Sequence, residues 1–243
     1  MNAKLANRSF KSEVMDDLNC GGSTLTQTLK ELEIINRLLG GNSLTINGIA
    51  TLQRSMEGPV RRLTICDLGC GGGDMLKLVS SWAQVKGIPV ELIGIDANPN
   101  VIQYARQNCR SIPDIRFLTL DVFSHEFKSH QYDIILSTLF LHHFDNQQLI
   151  SLFKSFSGQC RVGMVVNDLH RHWLAYYSIK MLTSLFSKSS MVQNDAPLSV
   201  QKSFLRSELL DLLGQSGISN FQLKWRWAFR WQLIIWKNTT PPN

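Results

Sequence analysis

The chain has 243 residues, 44% hydrophobic and 18% charged. That is enough for one large α/β domain, with or without a small cap, and too little charge for a disordered or coiled-coil protein. The net charge is +6, and no basic run is longer than Arg61-Arg62, so the charge is only a weak hint of nucleic acid and an ordinary basic protein is the plainer reading.

Leu25, Leu29, Leu32, Ile35 and Leu39 share a helical spacing, with Asn36 at the edge of that face, which predicts a helix over 25–39. Gly40-Gly41 ends it, because glycine accepts the left-handed cap geometry. A short second helix is expected from Ile49 to Met56, before Gly58-Pro59 punctuates the chain. Residues 1–60 read as an N-terminal helical cap and 61–243 as the main domain. From Arg62 onward strands and helices alternate. Strands are expected at Leu63 to Asp67, Val90 to Asp96, Ile115 to Leu120, Tyr132 to Ser137 and Val162 to Asn167. Helices are expected at Met75 to Val85, Val101 to Cys109 and Gln147 to Phe156. That alternation implies βαβ units and a parallel sheet. Near the C-terminus Leu223, Trp225, Trp227 and Phe229 alternate with Lys224, Arg226 and Arg230, and Trp231, Leu233 and Ile235 continue the period of two. Two such strands without a helix between them suggest a hairpin closing the sheet.

Five cysteines without a CxxC pair read as free thiols in a reducing compartment. The first ten residues lack the apolar run of a secretory signal, and no segment reaches the ~18 apolar residues of a membrane span. A cytoplasmic location is expected.

The central motif is Asp67-Leu68-Gly69-Cys70-Gly71-Gly72-Gly73-Asp74, between a strand and a helix. Its glycines allow a sharp turn and close approach to a ligand. A dinucleotide loop would place glycine where Asp74 stands, and carboxylates at Asp67 and Asp74 oppose a pyrophosphate. The walls suit a ligand that carries positive charge and no phosphate. Asp96 ends the next strand, where an acid can accept from both ribose hydroxyls; capping the following helix is its plainer role. Asp121-Val122 can accept from an adenine amino group and pack on the ring, or simply form a turn. Ser137 ends the fourth strand, ahead of Thr138-Leu-Phe-Leu-His142-His143-Phe144, at the edge where open α/β sheets bind ligands.

In this order and spacing, over residues 62–170, the motifs resemble those of the class I (Rossmann-like) S-adenosylmethionine-dependent methyltransferases. The resemblance implies a seven-stranded, mostly parallel sheet with the last strand antiparallel, sandwiched by helices. It implies S-adenosylmethionine as cofactor and S-adenosylhomocysteine as product. Asp67, Gly69, Cys70, Gly71 and Gly73 would line the methionine and ribose side. Asp96 and Ala97 would hold the ribose, Asp121 and Val122 the adenine, and Ser137 the amino-acid end.

Methyl transfer needs a nucleophile in line with the methyl and, for a phenol or alcohol, a base. Asn167-Asp168-Leu169-His170-Arg171-His172 follows the fifth strand, so His170 is the first candidate base, with Asp168 to orient it. His142 is the second. Arg171 is a candidate for a substrate carboxylate or a solvated cation, and His125 and His130 carry no assignment. Oxygen ligands for a hard cation are too few, so no metal is expected. Trp173 to Phe186 is nearly all apolar and reads as either a buried helix or part of a lid-like insertion over 168–202. Such insertions resemble those of bacterial small-molecule methyltransferases of secondary metabolism. The acceptor is then expected to be a small aromatic or lipophilic molecule methylated on a phenolic, quinol-like or carboxylate oxygen. Two alternatives remain: an RNA or protein methyltransferase, for which Lys224, Arg226 and Arg230 near three tryptophans would speak, and a non-catalytic S-adenosylmethionine-binding module.

Overall fold

The computed structural model describes residues 5–56 and 61–237, so the expected break at Gly58-Pro59 lies outside the described residues. Short helical turns aside, the elements run α1 (Gly22–Leu38), α2 (Gly41–Arg54), β1 (Leu63–Leu68), α3 (Asp74–Lys86), β2 (Val90–Asp96), α4 (Pro99–Asn108) and β3 (Ile115–Thr119). They continue α5 (His125–Lys128), β4 (Tyr132–Thr138), α6 (Asn146–Gln159), β5 (Cys160–Leu169), α7 (Trp173–Phe186), α8 (Ser190–Lys202), α9 (Arg206–Gln215), β6 (Phe221–Arg226) and β7 (Arg230–Trp236).

The seven strands form one sheet in the order β3-β2-β1-β4-β5-β7-β6. The pairs among β1 to β5 are parallel. β7 runs antiparallel to both β5 and β6, which makes the expected hairpin. Strand side chains alternate between faces, and both faces are covered, so the central strands are rich in Ile, Leu and Val throughout. On one face Ile65, Leu92, Ile134 and Val165 pack with Ile49 and Leu52 of α2 and Leu76 and Val79 of α3. On the other, Cys66, Ile93, Ile135 and Met164 pack with Leu152 and Phe156 of α6 and Leu209 and Leu213 of α9.

Two elements differ from the expectation. α2 begins eight residues before the expected Ile49 and lies against the sheet. Gly48 makes that approach possible, since a Cβ there would stand 2.4 Å from Val165 Cγ1. β5 extends to Leu169, so Asn167 and Asp168 belong to the strand rather than to the loop after it; pairing with β7 holds them there. The second half of the expected 168–202 insertion, Asn194 to Pro197 included, lies inside α8, whose N-cap is the Ser189 hydroxyl.

α7 also departs from the buried-helix reading. Of its side chains only Ala175, Tyr176 and Thr183 are buried, and among the exposed ones Phe186 is 77% and Leu185 67% accessible. No helix among the described residues is long and apolar enough to cross a membrane.

Candidate active site

The carboxyl ends of β1, β2, β4 and β5 border a cavity of about 730 Å³, within the size range of small-molecule sites. The glycine loop forms its floor. Gly69, Gly71 and Gly73 have φ of 62°, 51° and 77°, a region glycine enters without the Cβ penalty. A Cβ on Gly69 would come 2.2 Å from the Phe140 ring, so the loop and the turn after β4 are packed face to face. Cys70 N–H donates to Ile95 O at 3.0 Å, which pins the loop to β2.

Asp67 closes the inner end of this floor. Its side chain is buried, and its Oδ1 has no hydrogen-bond partner among the described residues. Burial, reinforced by the nearby Asp96 and Asp74 charges, pushes its pKa up to about 8. An orphaned carboxylate in an apolar setting calls for a cationic donor; the ammonium of S-adenosylmethionine is such a group. Asp96 accepts from Asn98 N–H at 2.9 Å and lines the cavity. Burial raises its pKa, and the N–H groups of Asn98, Gly71 and Ala97 act against the rise. Cys70, Ala97, Asp121 and Val122 also line the wall, with Asp121 accepting from Phe123 N–H at 2.9 Å.

Two residues expected at the cofactor stand behind the wall instead. Gly73 does not line the cavity. It caps α3 in a left-handed conformation, where a Cβ would meet Cys109 Sγ and Phe117 Cζ at 2.8 Å. Ser137 is fully buried within β4, and Thr138, Leu139 and Phe140 reach the cavity in its place. Asp74, whose charge shaped the reading of the loop, pairs with Lys77 at 2.6 Å.

The expected base His170 is not brought to this cavity either. Leu169 lines it, and one residue on, the strand alternation sends His170 to the other face. His170 packs edge-on to Trp231, and its Nδ1 accepts from Trp225 Nε1 at 3.2 Å. Burial, with His172 and Arg171 nearby, lowers its pKa to about 4. Arg171 is neither solvated nor aimed at a ligand. It is buried, and its guanidinium forks onto Glu208 at 2.6 and 2.9 Å.

His142, in a single helical turn (Leu141–His143) after β4, does line the cavity. It is 2% exposed, and its Nδ1 lies 2.7 Å from Asp168 Oδ1. Asp168 is thus an orienting partner, as expected, but of His142. Burial alone would raise the Asp168 pKa; the charge and hydrogen bond of His142 and the Leu169 N–H outweigh it and hold the carboxyl below its usual range. With Nδ1 engaged, Nε2 is left to face the cavity and Glu13 Oε1, 3.8 Å away.

Glu13 belongs to a part of the site that the sequence reading missed. The N-terminal segment straps the turn after β4. Arg8 donates to Asn146 Oδ1 at 2.8 Å, Phe144 O at 3.0 Å and Lys202 O at 2.9 Å. Val14 and Met15 N–H donate to the Asp195 carboxylate at 2.9 and 3.1 Å. Lys202 Nζ then stands 3.3 Å from Glu13 Oε1 and 3.1 Å from Asp16 Oδ2, and His143 Nδ1 lies 2.6 Å from Asp16 Oδ1. Burial raises the Glu13 pKa against the pull of His143 and Lys202. Ligand atoms of Glu13, His142 and His143 lie within 4.8 Å of one another, close enough to share a metal ion, but the Lys202 ammonium already places a positive charge beside Glu13. The only sequence signal was the Glu13-x-x-Asp16 spacing of a capped turn. A second missed residue is Arg230, at the cavity's β5–β7 end. It is 1% exposed and donates to Asn36 Oδ1 at 3.1 Å. Burial lowers its pKa to about 10, with the Asp168 charge opposing.

Leu139 and Phe229, both on the cavity wall, hold positive φ of 55°, a strained conformation for such residues that concentrates at ligand sites.

Residues 65–163 match a family model described as "Methyltransferase domain". No curated protein matches the chain. The fold is shared with magnesium protoporphyrin IX methyltransferase from Synechocystis with bound S-adenosylhomocysteine, at 15% identity over 83% of this chain and 84% of that one (TM-score 0.55). It is shared with human N-acetylserotonin methyltransferase in complex with S-adenosylmethionine, at 21% identity over 89% of this chain and 56% of that one (TM-score 0.58). A third structure, a SAM-dependent methyltransferase from Aquifex aeolicus, covers 86% of this chain and 96% of its own at 13% identity (TM-score 0.59). The chain therefore has the fold of the class I S-adenosylmethionine-dependent methyltransferases, and its residues 65–163 resemble a methyltransferase domain.

Proposed function

We propose that the chain transfers a methyl group from S-adenosylmethionine to an acidic oxygen of a small aromatic or lipophilic molecule, with His142 as general base. The observation that carries this reading is the buried Asp168–His142 pair, whose His142 ring lines the same cavity as the glycine loop. The cofactor supplies the electrophilic methyl. Asp67 takes its ammonium, Asp96 its ribose hydroxyls, and Asp121 and Val122 its adenine. Asp168 holds the His142 ring with Nδ1 protonated, so that Nε2 accepts the acceptor's proton and the resulting imidazolium is stabilised by the buried carboxylate. Leu169, Ala175, Ile179 and Leu182 give the acceptor end an apolar wall, which excludes water from the reacting atoms. Arg230 behind that end favours an oxygen that carries or develops negative charge. Transfer of this kind needs no metal, since positioning and a base suffice.

An acceptor on nucleic acid is disfavoured by the same geometry. Arg230 is buried, Arg226 is tied to Gln232 Oε1 at 3.0 Å, and Lys224 alone of the three is freely exposed. The test has two stages. Calorimetry should show S-adenosylhomocysteine binding and none for NAD. A panel of phenols, quinols and aromatic acids with labelled cofactor should then yield methyl ethers or esters. A protein that binds the cofactor product but methylates only RNA or protein would overturn the assignment of the acceptor.

A further inference from the structure

α7 serves two sides at once. Ala175, Ser178, Ile179 and Leu182 form part of the cavity wall. On the outside, Trp173, Met181, Leu185 and Phe186 are 55%, 58%, 67% and 77% exposed. The β6–β7 turn repeats the arrangement: Trp227 and Phe229 line the cavity, while Trp225 is 46% exposed and Trp227 is still 71% exposed. The two surfaces join, because His172 stacks on Phe229 at 5.1 Å and lies 5.7 Å from Trp173. The result is one apolar face of a helix and a hairpin turn beside the acceptor end of the cavity. A soluble protein rarely leaves so much contiguous apolar surface without a partner.

The charges beside this face decide which partner. From Leu169 to Asn194 the sequence contains no acidic residue, while Lys180 and Lys188 are exposed on the same stretch. Lys224 is exposed on β6. Glu31, which reaches this stretch from α1, is tied to the Ser187 hydroxyl and the Lys188 N–H at the far end of the helix. Tryptophan, phenylalanine and leucine flanked by lysine are the composition of segments that lie in the lipid interface, with apolar side chains among the acyl chains and ammonium groups at the phosphates. A second copy of the chain would bring the same lysines against each other. We propose that α7 and the β6–β7 turn dock on an anionic lipid bilayer, so that a lipophilic acceptor enters the cavity from the membrane without crossing water. The docking is peripheral, as no described helix could span. The route for the acceptor rests on the proposed function; the docking itself does not.

The experiment is co-sedimentation of the full chain with vesicles of phosphatidylcholine alone, or of phosphatidylcholine and phosphatidylglycerol in equal parts. Binding is expected to the anionic vesicles, weakening with added salt as screening grows. Leu185→Ser with Phe186→Ser should lower the partition coefficient by about tenfold or more, since burying one large apolar side chain is worth that much. Lys180→Glu with Lys188→Glu should abolish the preference for phosphatidylglycerol. Val85→Ser, at an 84% exposed apolar site on α3, should change nothing. These side chains are exposed, so the variants should fold, which calorimetry with S-adenosylhomocysteine verifies. No binding to either vesicle would overturn the proposal. So would a dimer, seen by light scattering, that the Leu185 and Phe186 changes convert to monomer, because the face would then belong to a second copy. Loss of S-adenosylhomocysteine binding in the unaltered chain would count against the proposed function alone.

Discussion

Asp168 and His142 lie 26 residues apart in the chain, yet the Asp168 carboxylate holds both the ring and the backbone of His142. The Nδ1–Oδ1 distance is 2.7 Å, and the His142 N–H donates to Oδ2 at 3.3 Å. Two contacts from one buried carboxylate fix the ring's rotation and its tautomer together, leaving Nε2 the accepting atom. His142→Ala should therefore lower kcat by roughly 10²–10⁴-fold and leave S-adenosylhomocysteine affinity nearly unchanged. Asp168→Asn should cost part of that loss, because the ring keeps its position but the imidazolium loses its counter-charge. Single-turnover kinetics with an identified acceptor would measure both. A fully active His142→Ala would leave catalysis to positioning alone.

His170 supplies the internal comparison. Its ring accepts one hydrogen bond from a half-exposed tryptophan and faces away from the cavity. His170→Ala should cost at most about 1 kcal/mol of stability, the worth of such a bond, and should hardly change kcat. A loss in kcat matching that of His142→Ala would return the base to β5.

The proposed pairing of Asp67 with the cofactor's ammonium predicts pH-dependent binding. Its folded pKa of about 8 means that the free protein holds the carboxyl mostly protonated at neutral pH. A bound ammonium stabilises the carboxylate, so binding releases a proton. Affinity for S-adenosylhomocysteine should rise between pH 6 and 7.5 and flatten above pH 8, where the Asp67 carboxyl is already ionised in the free protein. The same raised pKa gives the opposite trend in stability without ligand. A carboxyl raised above its unfolded value contributes fully below that value, and the contribution is lost as pH rises toward 8. Calorimetry in buffers of different ionisation enthalpy reads the proton release directly. Asp67→Asn should abolish it, and a pH-independent affinity in the unaltered chain would remove Asp67 from the ammonium site.

Most of the wall proposed here for the cofactor was named from the sequence because its information is local. Asp67 through Gly73 is one contiguous stretch, Asp96 ends β2, and Asp121 lies just past β3, each at a strand end marked by a change in polarity. The acceptor end was not legible, for two reasons. The first is register: had β5 ended at Asn167, His170 could have faced the cavity, but pairing Leu169 with Arg230 lengthens the strand and reverses that side chain. The second is distance in the chain. Asp16 meets His143 across 127 residues, and Arg230 meets Asn36 across 194. Neither contact leaves a pattern of spacing. Asn36 itself was read only as the edge of a helical face, which is true of α1 and silent about its partner.

Gly69 tests the floor of the site. A side chain there meets two penalties, a left-handed φ of 62° and a contact of 2.2 Å with the Phe140 ring. The backbone cost alone is about 1–2 kcal/mol, and Phe140 must move as well, taking with it the turn that carries His142. Gly69→Ala should lower the unfolding free energy by about 1–3 kcal/mol and weaken S-adenosylhomocysteine binding severely. Gly214→Ala is the control, since nothing lies within 4 Å of its added Cβ and its φ is ordinary. Equal behaviour of the two variants would show that the loop gives way without cost.

The last prediction concerns Arg171, whose surroundings make it a structural latch. Its guanidinium is fully buried and donates to Leu5 O at 3.1 Å, Ser203 O at 2.6 Å and both oxygens of Glu208. These bonds join the N-terminal segment, the end of α8 and the start of α9 around one cation. Glu208→Gln removes the counter-charge and leaves that cation buried. Breaking a buried pair from one side costs about 3–5 kcal/mol, and Glu208 is 30% exposed while the two carbonyls remain, so a loss of about 2–3 kcal/mol is expected. Replacing both members, as Arg171→Met with Glu208→Leu, removes the charge along with its partner and should recover part of the loss. Urea unfolding measures both variants. S-adenosylhomocysteine affinity should be the same in each, because neither residue lines the cavity. If Glu208→Gln kept full stability but lost its response to acidic acceptors in the panel, Arg171 would instead be the anion-binding residue that its position after β5 first suggested.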